Sequence, residues 1–481
     1  MLEKAENLRN MMQVVDMDLL VPKDHLVRKI DRVIDFNRIY PMVEPFYSSD
    51  TGRPAADPVV LVKIVLIQHL FGIRSLRQTV KEIEVNVAYR WFLGFNLTTE
   101  IPHFATVSYA FAQRFPSELF EEIFTLILEE AIARGYVDPT TVFIDATQIK
   151  ASANKKKHRK ELALQTARAY DEQLREEIDQ DRKAHGKKPL KDKKADNDND
   201  GDEGGCGSGN REKQRVVSTT DPDCGLFHKG EHKVEFAYTT HVACDARNFI
   251  LGCEVTPGNV HDSTVFDLVY EQVVARFPEI EVVTLDAGYK TPWICKKVFD
   301  DGRIPSLPYK RPMGRKGFFY PHEYVYDEYY NCVLCPNNQV LPYSTTTRDG
   351  YRVFKSNPSV CQHCPDLLRC TESRNYQKIV TKHIWSDYID MAEDFRHSPR
   401  GKATYSMRGE TIERVFADAK EKHSMRYTNH RGLARVKNWV KLKFAAMNLK
   451  KMAMWAFPGG GSFCSSPLFP LNNKKKACSS G

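Results

Sequence analysis

The stretch Val282-Val283-Thr284-Leu285-Asp286-Ala287-Gly288-Tyr289 is a short apolar run that stops at a carboxylate. A second run of the same kind, Thr141-Val142-Phe143-Ile144-Asp145, lies well upstream. Short, β-branched runs like these fit central strands of a sheet, where an acid is tolerable only at the carboxyl end facing a cleft. A third acid has a different setting. In Thr411-Ile412-Glu413-Arg414-Val415-Phe416-Ala417-Asp418-Ala419-Lys420 the apolar positions 412, 415, 416 and 419 have helical spacing and leave Glu413 pointing elsewhere. Taken singly, a strand-end Asp is most often a turn former and a helical Glu is usually solvated, so the argument rests on the set.

Two strand aspartates and one helix glutamate suit a divalent metal. Mg²⁺ is a hard cation that keeps several waters and takes one or two carboxylates plus phosphate oxygens. Two such ions about 3.5–4 Å apart activate the attacking oxygen and stabilise the leaving oxygen of an in-line displacement at phosphorus. Asp145, Asp286 and Glu413 are therefore the expected ligands of two Mg²⁺ (or Mn²⁺) ions.

The surroundings of these acids resemble the DDE transposases of bacterial insertion sequences. Tyr405-Ser406-Met407-Arg408 leads into Glu413 and Lys420 and is similar to that group's Tyr, Arg, Glu, Lys signature, with four rather than the commoner three residues between Arg408 and Glu413. Glu410 is the rival acid, but Ala417 stands where its lysine would be. Further similarity lies in Tyr89-Arg90-Trp91-Phe92-Leu93-Gly94, Ile101-Pro102-His103-Phe104-Ala105-Thr106, Ser218-Thr219-Thr220-Asp221-Pro222-Asp223 and Gly258-Asn259-Val260-His261-Asp262-Ser263. The resemblance implies an α/β protein with an RNase H-like catalytic core, which cleaves the ends of an insertion sequence and joins the 3′-hydroxyl to target DNA. It gives Lys420 and Arg408 the role of holding phosphates or stabilising transition-state charge, and Tyr405 that of positioning the backbone. His261 and Asp262 read as a loop cap or as support behind the metal ligands. The implied partner is double-stranded DNA, terminal inverted repeats and target alike, bound by a homodimer or higher homo-oligomer. Two rivals remain at this stage: a metal-dependent nuclease without strand transfer, and a silent DNA-binding regulator.

A chain of 481 residues is too long for one ordinary core. Residues 1–136 are expected to form an all-α DNA-binding domain. Asp57-Pro58 starts a helix that Gly72 stops, Ser75 caps the next, and a third begins at Thr106. This helix-turn-helix-like pattern offers Arg74, Arg77, Lys81 and Arg90 to DNA backbone. Residues 137–310 and 377–456 would form the catalytic domain. The first part should hold strands at 236–245 and 249–255, a helix at 263–277, and a charged insertion at 154–215. That insertion opens at Lys155-Lys156-Lys157 with a helix striped by Leu162, Ala167, Tyr170, Leu174 and Ile178, and passes into a polar stretch at 187–209.

Residues 311–376 read as a Cys-rich insert. Cys332 and Cys335 form one Cys-x-x-Cys pair, Cys361 and Cys364 another, with Cys370 beyond. Four thiolates at about 2.3 Å close a structural Zn²⁺ tetrahedron. Cys335, Cys361 and Cys364 are taken as members, with Cys332 and Cys370 competing for the last place. The net charge of +8 is modest for the length, but basic residues gather after Glu413. Lys437 and Lys441 in that stretch are expected to grip phosphates, against the alternative of a solvated amphipathic helix. No apolar core follows Met1 and no apolar run approaches the roughly 20 residues of a membrane span. The expected location is cytoplasmic, at the nucleoid, with a disordered tail at 457–481.

Overall fold

In chain order the strands of the first two-thirds are β1 (Thr141–Lys150), β2 (His158–Ala163), β3 (Lys213–Ser218), β4 (Gly225–Lys229), β5 (Lys233–Asp245), β6 (Ile250–Pro257), β7 (Val282–Leu285) and β8 (Ile304–Ser306). The computed structural model describes residues 14–48, 55–154, 157–163, 171–190, 213–229, 233–310 and 314–458. Lys155, Lys156, most of the polar stretch 187–209 and nearly all of the tail lie outside those residues. The central sheet is built on β1, which pairs antiparallel with β5 on one side and parallel with β7 on the other. Strand β7 continues parallel to β8, and β5 carries both β6 and β4 antiparallel on its far edge. The two apolar runs form their strands as expected: Val142, Phe143 and Ile144 are buried, as is all of Val282–Leu285. The helix Phe266–Arg276 falls within the expected span 263–277, and Asn248, at φ +65°, turns the chain between the two expected strands.

One strand boundary differs. β1 does not stop at Asp145 but runs five residues further to Lys150, because Ala146 to Lys150 pair with His241 to Ala237 of β5. What ends near Asp145 is the parallel pairing, whose last register is Ile144 opposite Leu285. The charged insertion differs more. His158–Ala163 is a strand paired with β3, and the helix begins only at Asp171, running to Ala184. Leu174 and Ile178 do form its buried stripe, against Trp385.

In the helical region Asp57 caps Pro58–Leu70 by accepting from Val59 N–H at 2.8 Å, and Ser75 caps Leu76–Val85. The third helix is Phe104–Tyr109, capped by His103 two residues before the expected start. The long helix Leu433–Ala456 packs on the helices Ser117–Ala133, Leu26–Val33 and Pro58–Leu70 and on β6. One apolar core therefore runs from the helical region through the sheet, so the expected boundary at 136 does not divide two cores.

Glycines mark two of the tightest joins. A Cβ on Gly72, at φ +65°, would stand 2.5 Å from the Lys422 carbonyl oxygen, and one on Gly258 would stand 2.6 Å from that of Ala237. Both positions need glycine to let backbones touch.

The Cys-rich region is a five-stranded antiparallel sheet of β9 (Val325–Asp327), β10 (Cys332–Leu334), β11 (Val340–Thr346), β12 (Tyr351–Lys355) and β13 (Ile379–His383). It has its own small core of Tyr324, Val333, Leu341 and Phe354. Because β13 completes this sheet, the insert extends past the expected limit at 376. No helix of the described residues is long and apolar enough to cross a membrane.

Candidate active site

The parallel register of β1 and β7 ends with Ile144 beside Leu285, so the next residues, Asp145 and Asp286, sit side by side at the mouth of the sheet. Asp286 is exposed and Asp145 half-buried. Burial pushes the Asp145 carboxyl up to about 6, with the charges of Asp286 and Asp262 adding to it and Arg408 opposing. Asp145 Oδ1 accepts from Ala146 N–H at 2.7 Å, and Oδ2 accepts from Arg408 Nη2 at 2.6 Å. The loop after Asp286 is tied down by an ion pair between Lys290 and Glu393.

Arg408 comes from a short turn, Met407–Gly409, that follows the helix Pro399–Ser406 carrying Tyr405. Its guanidinium lies 5.6 Å from the Tyr405 ring and its side chain is buried. Burial raises the Tyr405 hydroxyl, and the charges of Asp286, Asp145 and Glu413 raise it further against Arg408. Glu413 is in the first turn of the helix Ile412–Glu421, exposed, while Ile412, Val415, Phe416 and Ala419 are buried as the spacing required. Glu410 is also exposed, but its backbone is engaged, its carbonyl accepting from Asn248 Nδ2. Arg408, expected to hold phosphates or stabilise transition-state charge, is bonded to Asp145 in the absence of DNA.

Asp262 is the residue whose place the sequence did not decide. His261 is a loop cap, its Nδ1 accepting from Ser263 N–H at 3.3 Å. Asp262 itself turns toward the acids: burial and then the Asp286 charge raise its carboxyl, partly offset by His261. Its Oδ1 is 3.8 Å from Nδ1 of His241, a buried β5 residue that burial pushes down to about 4. The signal was present in Gly258-Asn259-Val260-His261-Asp262-Ser263, but only the fold of that loop onto β5 brings Asp262 to Asp286.

The basic residues divide. Lys437 pairs with Glu254 and Lys441 with Glu121, both side chains being partly exposed. The helix that carries them is not a solvated one, since Lys443, Trp439 and most of its apolar residues are buried. Arg90 is buried and holds the carbonyls of Glu84, Asn96 and Thr99, which removes it from the surface set. Arg74, Arg77 and Lys81 are exposed, Arg77 lying 4.5 Å over the Phe104 ring. Lys420 lines a cavity between the helical region and the carboxy-terminal helix, along with Arg74.

In the insert, Gln339 N–H points to Cys335 Sγ at 3.4 Å and Asn337 Nδ2 donates to Cys364 Sγ at 3.0 Å. Burial raises the Cys370 thiol, and the neighbouring Cys361 and Cys335 raise it further, while the Tyr324 hydroxyl at 3.3 Å and Lys378 lower it. Cys332 is raised by burial and by Asp327 alone. Among the described residues no group of three or more His, Cys, Asp or Glu is arranged to hold a metal ion, in either place.

Fold and site together define a mixed α/β protein with a helical amino-terminal region and two aspartates side by side on neighbouring parallel strands. Residues 15–113 match the family described as transposase domain (DUF772), and residues 334–453 match the one described as transposase DDE domain. The two matches support an insertion-sequence DDE transposase, and the DDE domain implies a metal-dependent nuclease or transferase kind of enzyme. Arg408, Glu413 and Lys420 fall within the matched residues, and Asp145 and Asp286 between the two segments. No curated protein matches the chain.

Proposed function

We propose that the chain cleaves the ends of an insertion sequence and joins the 3′-hydroxyl to target DNA at one site on an RNase H-like core. The observation that carries this is the register of β1 on β7, which sets Asp145 against Asp286 beneath the turn bearing Arg408. Strand order supports the core's name: three antiparallel strands, a crossover helix and two parallel strands, with the acids on the first and after the first parallel neighbour.

The residues fit divalent ions by an electrostatic test. Burial opposes the Asp145 charge, neighbouring carboxylates add to that, and a guanidinium already supplies a cation there. Arg408 Nη1 and the Tyr289 hydroxyl, both buried, have no hydrogen-bond partner among the described residues, which leaves polar capacity beside the acids. Asp145, Asp286 and Glu413 would hold the ions, which supply a polarised nucleophile and neutralise charge on the leaving oxygen. Arg408 keeps Asp145 charged and oriented. Tyr405 holds the DNA backbone near the acids, and Lys420 stabilises charge developing on phosphate. A structural Zn²⁺ would take Cys335, Cys361, Cys364 and Cys370, drawn closer than they stand here; Cys370 is preferred to Cys332 because Cys361 and Cys335 are near enough to raise its thiol, and N–H donors point at the sulfurs of Cys335 and Cys364.

Asp145→Asn, Asp286→Asn and Glu413→Gln should each abolish cleavage while leaving specific end binding within about tenfold, about 1.4 kcal/mol. Full cleavage by any of the three removes that residue from the site. Joining of paired ends to a target plasmid separates a transposase from a nuclease that only hydrolyses.

A further inference from the structure

Asp262 stands outside the three acids assigned to the ions, on the turn Asp262–Thr264 that follows β6. That turn packs against the turn Ala287–Tyr289, which opens directly after Asp286. The approach is close: a Cβ added to Gly288, two residues past Asp286, would lie 4.0 Å from Asp262 Oδ2. The Asp262 side chain is 35% exposed, and its other oxygen, Oδ1, faces His241 of β5.

His241 is 1% exposed and is aimed at this carboxylate from beneath. Its Nε2 is 3.0 Å from Thr256 Oγ1, while its Nδ1 has no hydrogen-bond partner among the described residues and lies 3.8 Å from Asp262 Oδ1. A carboxylate only accepts, so the tautomer that suits this line carries its proton on Nδ1 and accepts the Thr256 hydroxyl at Nε2. A shift of about 1 Å by Asp262 closes the hydrogen bond. Partners of this kind, behind a carboxylate, orient it toward a metal ion. Charge points the same way. Arg408 is paired with Asp145, and no lysine or arginine among the described residues lies within ion-pair distance of Asp262 or Asp286. Two carboxylates carried on packed turns repel each other, and a divalent cation between them turns that repulsion into attraction.

We propose that Asp262 is a fourth carboxylate of the active site, which holds a divalent ion together with Asp286, and that His241 is the residue that positions it. This rests on the reading that the acids of the site hold divalent ions. Mg²⁺ takes one or two carboxylates beside waters and phosphate oxygens, so the pair is enough for one ion.

The test uses the full chain on a duplex carrying the element's terminal sequence, with Mn²⁺ as the probe and its binding followed by electron paramagnetic resonance. Asp262→Asn should weaken Mn²⁺ binding by about tenfold or more at an unchanged melting temperature, with binding of the duplex kept within about twofold. Asp262→Cys should cleave poorly in Mg²⁺ and recover by about tenfold or more in Mn²⁺, because a thiolate holds the softer ion better. His241→Leu should weaken Mn²⁺ binding by about ten- to a hundredfold. His241→Asn, whose side-chain N–H can stand in for Nδ1–H, should keep most of it; a loss that came only from disturbed packing would not be rescued in this way. Wild-type Mn²⁺ affinity in a folded Asp262→Asn protein overturns the proposal and leaves Asp262 as a loop acid. If Asp262→Asn does not fold, Asp262→Cys decides, and no greater preference for Mn²⁺ than in wild type overturns it. Equal affinities in the two His241 variants overturn the positioning role. Asp145→Asn and Asp286→Asn are the reference: wild-type Mn²⁺ binding by both defeats the reading that the acids hold ions, and this proposal with it, whereas loss in both but not in Asp262→Asn defeats this proposal alone.

Discussion

Arg408 shows how one contact changes a residue's meaning. The signature places an arginine before the glutamate, and a phosphate is the obvious partner for it. In the structure its nearest anion is Asp145, at 2.6 Å, with side-chain exposures of 7% and 16% for the two residues. Removing one partner of a buried pair leaves an uncompensated charge, at a cost of about 3–5 kcal/mol. Arg408→Ala should therefore lose stability on that order in urea denaturation as well as cleavage. The double variant Arg408→Met, Asp145→Asn should recover most of the stability and none of the activity. If Arg408→Ala unfolds like wild type, the pair contributes nothing and Arg408 returns to a role on DNA.

At the scale of elements, the end of the glutamate helix is fastened to the amino-terminal helices by backbone contacts. His423 Nδ1 donates to the His69 carbonyl at 2.7 Å, and Ser424 Oγ donates to that of Gly72 at 2.6 Å. Gly72→Ala should cost at least about 1–2 kcal/mol for its left-handed backbone, before the clash with Lys422 is counted; equal melting temperatures would exclude a tight join. His423 is 3% exposed, and burial holds its pKa down to about 4. A depressed folded pKa gives stability that is complete above the unfolded value near 6.5 and is lost as pH falls through about 4. The stability advantage of wild type over His423→Gln should shrink across that window. A constant difference in melting temperature from pH 7 to pH 4 would mean that His423 does not titrate with folding. In the insert, Cys361→Ser, Cys364→Ser and Cys370→Ser should each lower zinc content by elemental analysis, while Cys332→Ser should not. Full zinc in Cys370→Ser with loss in Cys332→Ser would reverse that assignment.

For the whole molecule the decisive feature is the core shared by the helical region and the sheet, with Leu433–Ala456 packed against both. A fragment of residues 1–136 lacks that helix and would expose the apolar faces of Pro58–Leu70 and Ser117–Ala133. It should show no cooperative thermal transition by circular dichroism, whereas the full chain melts the two regions together. A sharp melt in the fragment would mean that the amino-terminal helices form an independent domain.

Local chemistry made the strands at 141 and 282, the caps at Asp57 and Ser75, and the buried stripe of the glutamate helix readable from sequence, because each depends on neighbours a few residues away. The same local signals identified the three acids and the cysteine pairs as candidates. Tertiary structure decided what needed distant partners. It carried β1 past Asp145 on the pairing surface of β5, turned the start of the charged insertion into a strand by supplying β3, and gave Lys437 and Lys441 to Glu254 and Glu121. It also folded the loop of Asp262 onto β5 beside the acids. The physical reason is common to these cases: a charge or an unpaired strand edge takes the partner that packing brings to it, and packing joins residues tens to hundreds of positions apart.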